Sequence, residues 1–223
     1  MEVAMSIIIG IKDKEGVYLA CDTQSSNDIK HIYTGASDSK IVVLNHEPLV
    51  LLGHAGYSKG SNIYQLLSKK IQSQNIDELT YEWVVKVLIT NIIQLEQNHR
   101  MIRDDEYPKH PDGQFIIAMK HRLFIIDGDR GSKTKEINEF GVIGSTESFA
   151  YGMLRAHKST NPKSALINTL IECRNVDSFV EGPFLLYHTQ ATDYEIIDVN
   201  PILTVEPFSK RGDDSGSINR NKT

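Results

Sequence analysis

Apolar side chains fill three consecutive positions, Ile7, Ile8 and Ile9, in the first strand-like run of this chain, Ser6-Ile7-Ile8-Ile9-Gly10-Ile11. Successive strand residues point to opposite faces, so a strand built here is apolar on both sides and needs cover on both. The same holds for Val17–Cys21, Ile41–Leu44 and Leu49–Leu52. Sheets made of such strands are interior layers.

The runs between the strands say what covers them. Asp13-Lys14-Glu15-Gly16 and Asn45-His46-Glu47-Pro48 are polar turns that close two hairpins, separated by a mostly polar loop, Ser25–Ser39. Ser58 then suits the N-cap of a helix over Lys59–Ser73, with Ile63, Leu66, Leu67 and Ile71 at helical spacing. Thr80 suits the cap of a second helix reaching about Met101. Its stripe of Trp83, Val84, Val87, Leu88, Ile92 and Leu95 is interrupted on that face only by Asn91. Asp104–Gly113 reads as a loop. Gln114–Met119 and Arg122–Ile126 make a third hairpin, and a strand near Phe140–Ile143 follows the Asp127–Gly131 turn. Helices over Ser148–His157 and Pro162–Arg174 and strands over Pro183–His188 and Tyr194–Val199 complete the pattern. Two helix pairs, each needing an apolar surface, predict an α+β fold: a four-layer αββα sandwich. Residues 6–206 form one domain, residues 1–5 a leader that is removed or not translated, and the polar stretch 207–223 a disordered tail.

Composition narrows the function. With 223 residues and 40% hydrophobic content the chain can bury a substantial core. A net charge of −5 and the absence of a basic stripe argue against nucleic acid as a partner. No apolar run approaches 18 residues, so no membrane span is expected. The 2 cysteines, Cys21 and Cys173, make no disulfide framework and fit a cytoplasmic protein. The 8 histidines lack metal-ligand spacing, Gly53-x-x-Gly56-x-x-x-Gly60 lacks the phosphate-loop pattern, and Asp127-Gly128-Asp129 lacks the later ligands of a calcium loop. No metal or cofactor is called for.

Ser6 carries the chemical signal. A serine hydroxyl needs a base before it becomes a nucleophile, and a free α-amine titrates at about 7.7–8.0. A serine that opens the working chain holds both groups in one residue. Translation from Met5 and loss of that methionine would expose it. Five further residues, Asp22, Lys40, Gly56, Ser145 and Asp177, are candidates for the charge-holding, orienting and oxyanion-binding groups that such a nucleophile requires. Taken singly, each has a plainer role. Asp22 and Lys40 suit a structural ion pair, Gly56 a tight turn, Ser145 a helix cap and Asp177 a loop cap.

In this order, on these elements, the residues resemble the proteasome β-type subunits and the peptidase subunit of the bacterial HslUV protease, an N-terminal nucleophile (Ntn) hydrolase family. The resemblance runs from Ser6 to about Tyr187. Asp22 stands 16 positions after Ser6, as the family's acidic residue follows its threonine. Lys40 opens the third strand, Ala55-Gly56 precedes the first helix, Gly144-Ser145 precedes the third, and Asp177 follows the fourth. The resemblance implies that Ser6 attacks a scissile carbonyl with its own amine as base. Lys40 would favour the alkoxide, Asp22 anchor the ammonium, Gly56 N–H face the oxyanion, and Ser145 with Asp177 orient the terminal amine. Two positions depart from the family: serine replaces threonine at Ser6, and Val180 stands where a serine follows the acidic residue.

The expected activity is hydrolysis of peptides or unfolded protein through an ester acyl-enzyme. The resemblance further implies a homo-oligomeric ring and an ATPase unfoldase as partner. A catalytically silent assembly subunit and an Ntn amidase for non-peptide substrates are the competing expectations.

Overall fold

A computed structural model describes residues 6–27, 30–33, 39–56, 58–71, 76, 78–99, 111–128, 132–157 and 161–198. The leader Met1–Met5, the tail Pro207–Thr223 and most of the Asp104–Gly113 loop lie outside the described residues.

Isoleucine alternation in β1 (Ile7–Lys12) organises the whole molecule. Ile7, Ile9 and Ile11 point into one apolar cluster with Ala150, Leu154, Leu166 and Leu170 of the helices α4 (Glu147–Ala156) and α5 (Pro162–Val176). Ile8 points the other way, into a cluster shared with Leu51, Ile116 and Ala118 of the opposite sheet. β1 is thus apolar on both faces because a helix layer covers one and a second sheet the other.

Two five-stranded antiparallel sheets result. One has the order β10-β1-β2-β11-β12, with β2 at Val17–Cys21, β10 at Phe140–Gly144, β11 at Phe184–His188 and β12 at Glu195–Ile197. The other has the order β5-β6-β7-β8-β9, spanning Ile41–His46, Leu49–Ala55, Gln114–Met119, Arg122–Asp127 and Lys133–Glu136. The second sheet's outer face is covered by α1 (Ser58–Ile71) and by a helical rod. The rod begins as α2 (Tyr81–Trp83), passes through a π-pitched stretch (Val84–Ile89) and ends as α3 (Thr90–Asn98). Val50, Leu52, Phe115 and Ile117 meet Tyr64, Leu67, Leu88 and Ile92 there. This is the predicted αββα sandwich, with three apolar layers between its four structural ones.

Local chemistry sets several boundaries. Thr80 Oγ accepts the Trp83 N–H at 3.0 Å, capping the rod as its sequence predicts. Asn161 caps α5 by accepting from Ser164 N–H, and Pro162 occupies the first turn, where its missing N–H leaves no bond unmade.

Three expectations need correction. The segment read as a loop over Ser25–Ser39 contains a small hairpin, β3 (Gln24–Asn27) with β4 (Lys30–Tyr33). β9 is an additional edge strand on β8. The second helix ends at Asn98, short of Met101. Strand β6 runs on to Ala55, which carries the chain directly to Gly56.

Candidate active site

Ser6 sits where β1 begins, between the ends of its two neighbouring strands. β10 pairs Gly144 with Ile7 on one side, and β2 pairs Cys21 with Ile8 on the other. The Ser6 carbonyl accepts the Ser145 N–H at 2.9 Å. That approach depends on glycine at 144, where φ is +111° and a Cβ would lie 1.8 Å from the Ser6 oxygen. Ser6 itself is buried, at 8% exposure.

Asp22 closes the other side. Its carboxylate is fully buried and accepts the Ile7 N–H at 3.0 Å and the Gln24 N–H at 3.2 Å. The Lys40 ammonium donates to both oxygens, at 2.7 and 2.6 Å. Burial pushes the Asp22 carboxyl above the ordinary carboxylate range, against the pull of Lys40 and the backbone donors. Lys40 is also held through its backbone, since its carbonyl accepts the His54 N–H at 3.0 Å. The ammonium therefore belongs to a rigid corner joining the start of β5 to the end of β6. Cys21, next to Asp22, is pushed up to about 12 by burial and stays a thiol near neutral pH.

Ser145 and Asp177 meet as well. The Ser145 hydroxyl donates to Asp177 Oδ2 at 2.8 Å, while Oδ1 accepts the Phe179 N–H at 2.9 Å. Thr146, not Ser145, stands at the N-cap of α4, so the Ser145 hydroxyl serves Asp177 instead of the helix end. Val180 is buried among Ile7, Ile9 and Phe184 and offers no hydroxyl. Two other bonds hold the 178–181 turn against the end of β2. Gln24 Nε2 donates to the Ser178 carbonyl at 3.3 Å, and Thr23 N–H donates to that of Glu181 at 3.2 Å.

Gly56 follows directly on β6, beyond His54 and Ala55. A Cβ on it would meet His54 Nε2 at 2.5 Å, so an imidazole fills the space that a side chain would need. Across the turn Gly113, with φ +81°, lies so near that its own Cβ would stand 2.5 Å from the Ala55 carbonyl. The six predicted residues divide into linked groups. Ser6, Ser145 and Asp177 form one hydrogen-bonded group and Asp22 with Lys40 another. The two meet at the peptide between Ser6 and Ile7, whose oxygen accepts from Ser145 and whose N–H donates to Asp22. Gly56 follows two residues after His54, whose N–H donates to the Lys40 carbonyl.

The structure adds a residue that sequence reasoning placed only in a strand. Gln114 opens β7 and pairs with Ala55. Its side-chain oxygen accepts the Gly144 N–H at 3.0 Å, and its nitrogen reaches Glu147 Oε2 at 3.5 Å. It thereby bridges the sheet carrying Gly56 to the strand end that clamps Ser6. Between the start of β5 and α1 a cleft of about 290 Å³ is lined by Ser39, Ile41, Val42, Val43, Gln65 and Ser68, and none of the predicted site residues lines it. Among the described residues no group of three or more His, Cys, Asp or Glu side chains is arranged to hold a metal ion. No described helix is long and apolar enough to cross a membrane.

No protein-family model matches the chain, and no curated protein sequence matches it. Solved structures do. The Thiobacillus denitrificans protein BPH, in complex with epoxomicin, superposes with a TM-score of 0.63 at 12% identity, over 86% of this chain and 100% of that one. Anbu, the ancestral beta-subunit, from Yersinia bercovieri gives 0.65 at 11% identity, over 86% of each chain. Eukaryotic HslV from Trypanosoma brucei gives 0.56 at 18% identity, over 82% of this chain and 98% of that one. At these identities the likeness is one of fold: the αββα sandwich is the proteasome β-type, HslV-like Ntn fold.

Proposed function

We propose that this chain is a proteasome-like N-terminal nucleophile peptidase that cleaves peptide bonds through Ser6. One observation carries the proposal. The backbone of Ser6 is clamped on both sides, by Ser145 N–H on its carbonyl and by Asp22 on the following N–H, and the same Asp22 holds the Lys40 ammonium. A core strand that merely begins with serine has no use for a buried ion pair there, because desolvating two charges is costly.

With the chain beginning at Ser6, the hydroxyl oxygen attacks the scissile carbonyl carbon and its proton passes to the α-amine of the same residue, through a water. Lys40 stabilises the negative charge on the attacking oxygen. Gly56 N–H stabilises the oxyanion on the former carbonyl. The C–N bond then breaks, and the α-ammonium returns the proton to the leaving amine. An ester on Ser6 remains. Water, deprotonated by the α-amine, attacks that ester, releasing a carboxylic acid and restoring the hydroxyl. Asp177 and Ser145 orient the amine.

The same reading extends to assembly. Proteins of this fold suit a homo-oligomeric ring that encloses its sites, fed with unfolded polypeptide by an ATPase, in the cytoplasm. A silent assembly subunit is the second reading, favoured by the apolar Val180 where the resemblance calls for a hydroxyl.

The test compares two purified proteins, one starting at Ser6 and one retaining Met1–Met5, on short fluorogenic peptides. Hydrolysis by the first alone is the expected result. Equal hydrolysis by both contradicts the amine-as-base mechanism, and none by either supports the silent subunit.

A further inference from the structure

We propose that Glu96, Tyr64, His54 and the backbone of Asp112 form a positioning unit that sets the Gly56 turn. The inference rests on the hydrolase proposal only for what that turn does.

Four elements contribute. Glu96, on α3, is completely buried in the apolar layer between helices and sheet, beside Leu88, Ile92 and Leu95. Tyr64, on α1, donates its hydroxyl to Glu96 Oε1. The Asp112 N–H, just before β7, lies 3.2 Å from both Glu96 oxygens. The carbonyl of that same residue accepts from His54 Nε2 at 3.1 Å. A carbonyl can only accept, so the His54 proton sits on Nε2. That nitrogen is the atom a Cβ on Gly56 would strike at 2.5 Å. The path runs without a gap from a buried carboxyl, through both polar groups of one peptide residue, to the imidazole packed against Gly56.

Rings fix the imidazole laterally. His54 lies 4.6 Å from the Tyr64 ring and 4.9 Å from Phe115, and Tyr64 and Phe115 meet at 5.2 Å. Tyr64 therefore acts twice, holding Glu96 with its hydroxyl and His54 with its ring. Burial pushes His54 down to about 4, which keeps it neutral near pH 7; the hydrogen bond to the Asp112 carbonyl opposes that shift and the Lys40 charge adds to it. Burial pushes Glu96 up to about 8, helped by the Asp112 carboxyl and opposed by its two donors.

A leucine at 96 would fill this layer without desolvating a carboxyl. What the carboxyl adds is a directional grip on Asp112, and Asp112-Gly113 crosses directly over Ala55-Gly56. Oxyanion stabilisation depends on where the donor stands, and an ångström of drift costs orders of magnitude in rate. None of these four residues touches the reacting atoms. They act through Gly56.

The experiment uses the full chain starting at Ser6 and its variants Glu96→Leu, Glu96→Gln and Tyr64→Phe. Amide hydrogen exchange is followed over Gly53–Gly56 and over Ile7–Ile11, together with kcat and KM on a fluorogenic peptide. Glu96→Leu should speed exchange at the turn about tenfold and leave Ile7–Ile11 unchanged, with kcat falling about tenfold to a hundredfold at nearly constant KM. Glu96→Gln, which still accepts from Asp112, should keep kcat within about threefold of the parent. Tyr64→Phe removes one hydroxyl from an intact core and should show the same pattern as leucine, in smaller measure, should the leucine variant not fold. Unchanged exchange and kcat in the Leu and Phe variants would overturn the inference. A parent protein that hydrolyses nothing removes the hydrolase proposal alone, and the exchange data then decide whether the unit holds the turn.

Discussion

Gly144 lies so close to Ser6 that a single added carbon would stand 1.8 Å from the Ser6 carbonyl oxygen. With φ at +111° as well, position 144 excludes every side chain on two independent grounds. Gly144→Ala should destabilise the fold by about 3 kcal/mol or more, read by chemical denaturation, and pull the start of β1 away from Ser145. A stable Gly144→Ala protein with parental turnover would show that the clamp is dispensable.

The Asp22–Lys40 pair should respond asymmetrically. Lys40→Met leaves a fully buried carboxyl without its counter-ion and should cost about 3–5 kcal/mol. Adding Asp22→Asn should return most of that stability, because the charge is then gone from both partners. Turnover should stay depressed at least a hundredfold in single and double variants alike, since the ammonium proposed to stabilise the attacking oxygen is absent from both. Denaturation midpoints and peptide hydrolysis on the three proteins check both halves.

Ser145→Ala tests orientation with little structural cost. Ser145 is exposed and Asp177 half-buried, so the lost hydrogen bond should cost about 1 kcal/mol or less. Its effect should appear in kcat, roughly tenfold or more, with KM unchanged. A variant at full rate would leave the hydroxyl a surface detail.

Much of this arrangement was legible from residue order, and what was hidden has physical causes. Ile7–Ile9 announced a strand covered on both faces, and Thr80 announced a helix start, because periodicity and capping are local. The hairpin of Gln24–Asn27 with Lys30–Tyr33 is mostly polar and, among the described residues, joins neither five-stranded sheet, so no apolar alternation marks it. Lys133–Glu136 is a charged edge strand, hidden for the same reason. Gln114 opens an apolar strand as an ordinary polar residue. Only the stacking of two sheets brings it to Gly144. Glu96 did leave a trace. The stripe read as broken only by Asn91 is broken by Glu96 as well, four residues after Ile92 and eight after Leu88, where a solvated charge does not belong.

That buried carboxyl also makes stability depend on pH. Glu96 rises from 4.5 to about 8 on folding, so between those values the native state keeps a proton that the unfolded chain has released. Stability from this group falls as pH rises, by at most about 1.4 kcal/mol per pH unit. His54 drops from 6.5 to about 4, so the unfolded chain binds the extra proton and stability rises with pH across that window. The two slopes oppose each other from 4.5 to 6.5, and only the fall remains from 6.5 to about 8. Denaturation series in buffers from pH 5 to 8 should show a level stretch and then a decline. Glu96→Gln should rise to about pH 6.5 and stay flat beyond it. A parent profile that is level to pH 8 contradicts the assignment.

Whether the Ser6 oxygen is the acyl acceptor can be decided by mass spectrometry on protein quenched in acid during turnover of a short peptide ester. An adduct of acyl mass on the peptide that begins at Ser6, absent from Ser6→Ala, is the predicted result. Sustained turnover by Ser6→Ala, or an acyl group found on any other residue, would contradict it.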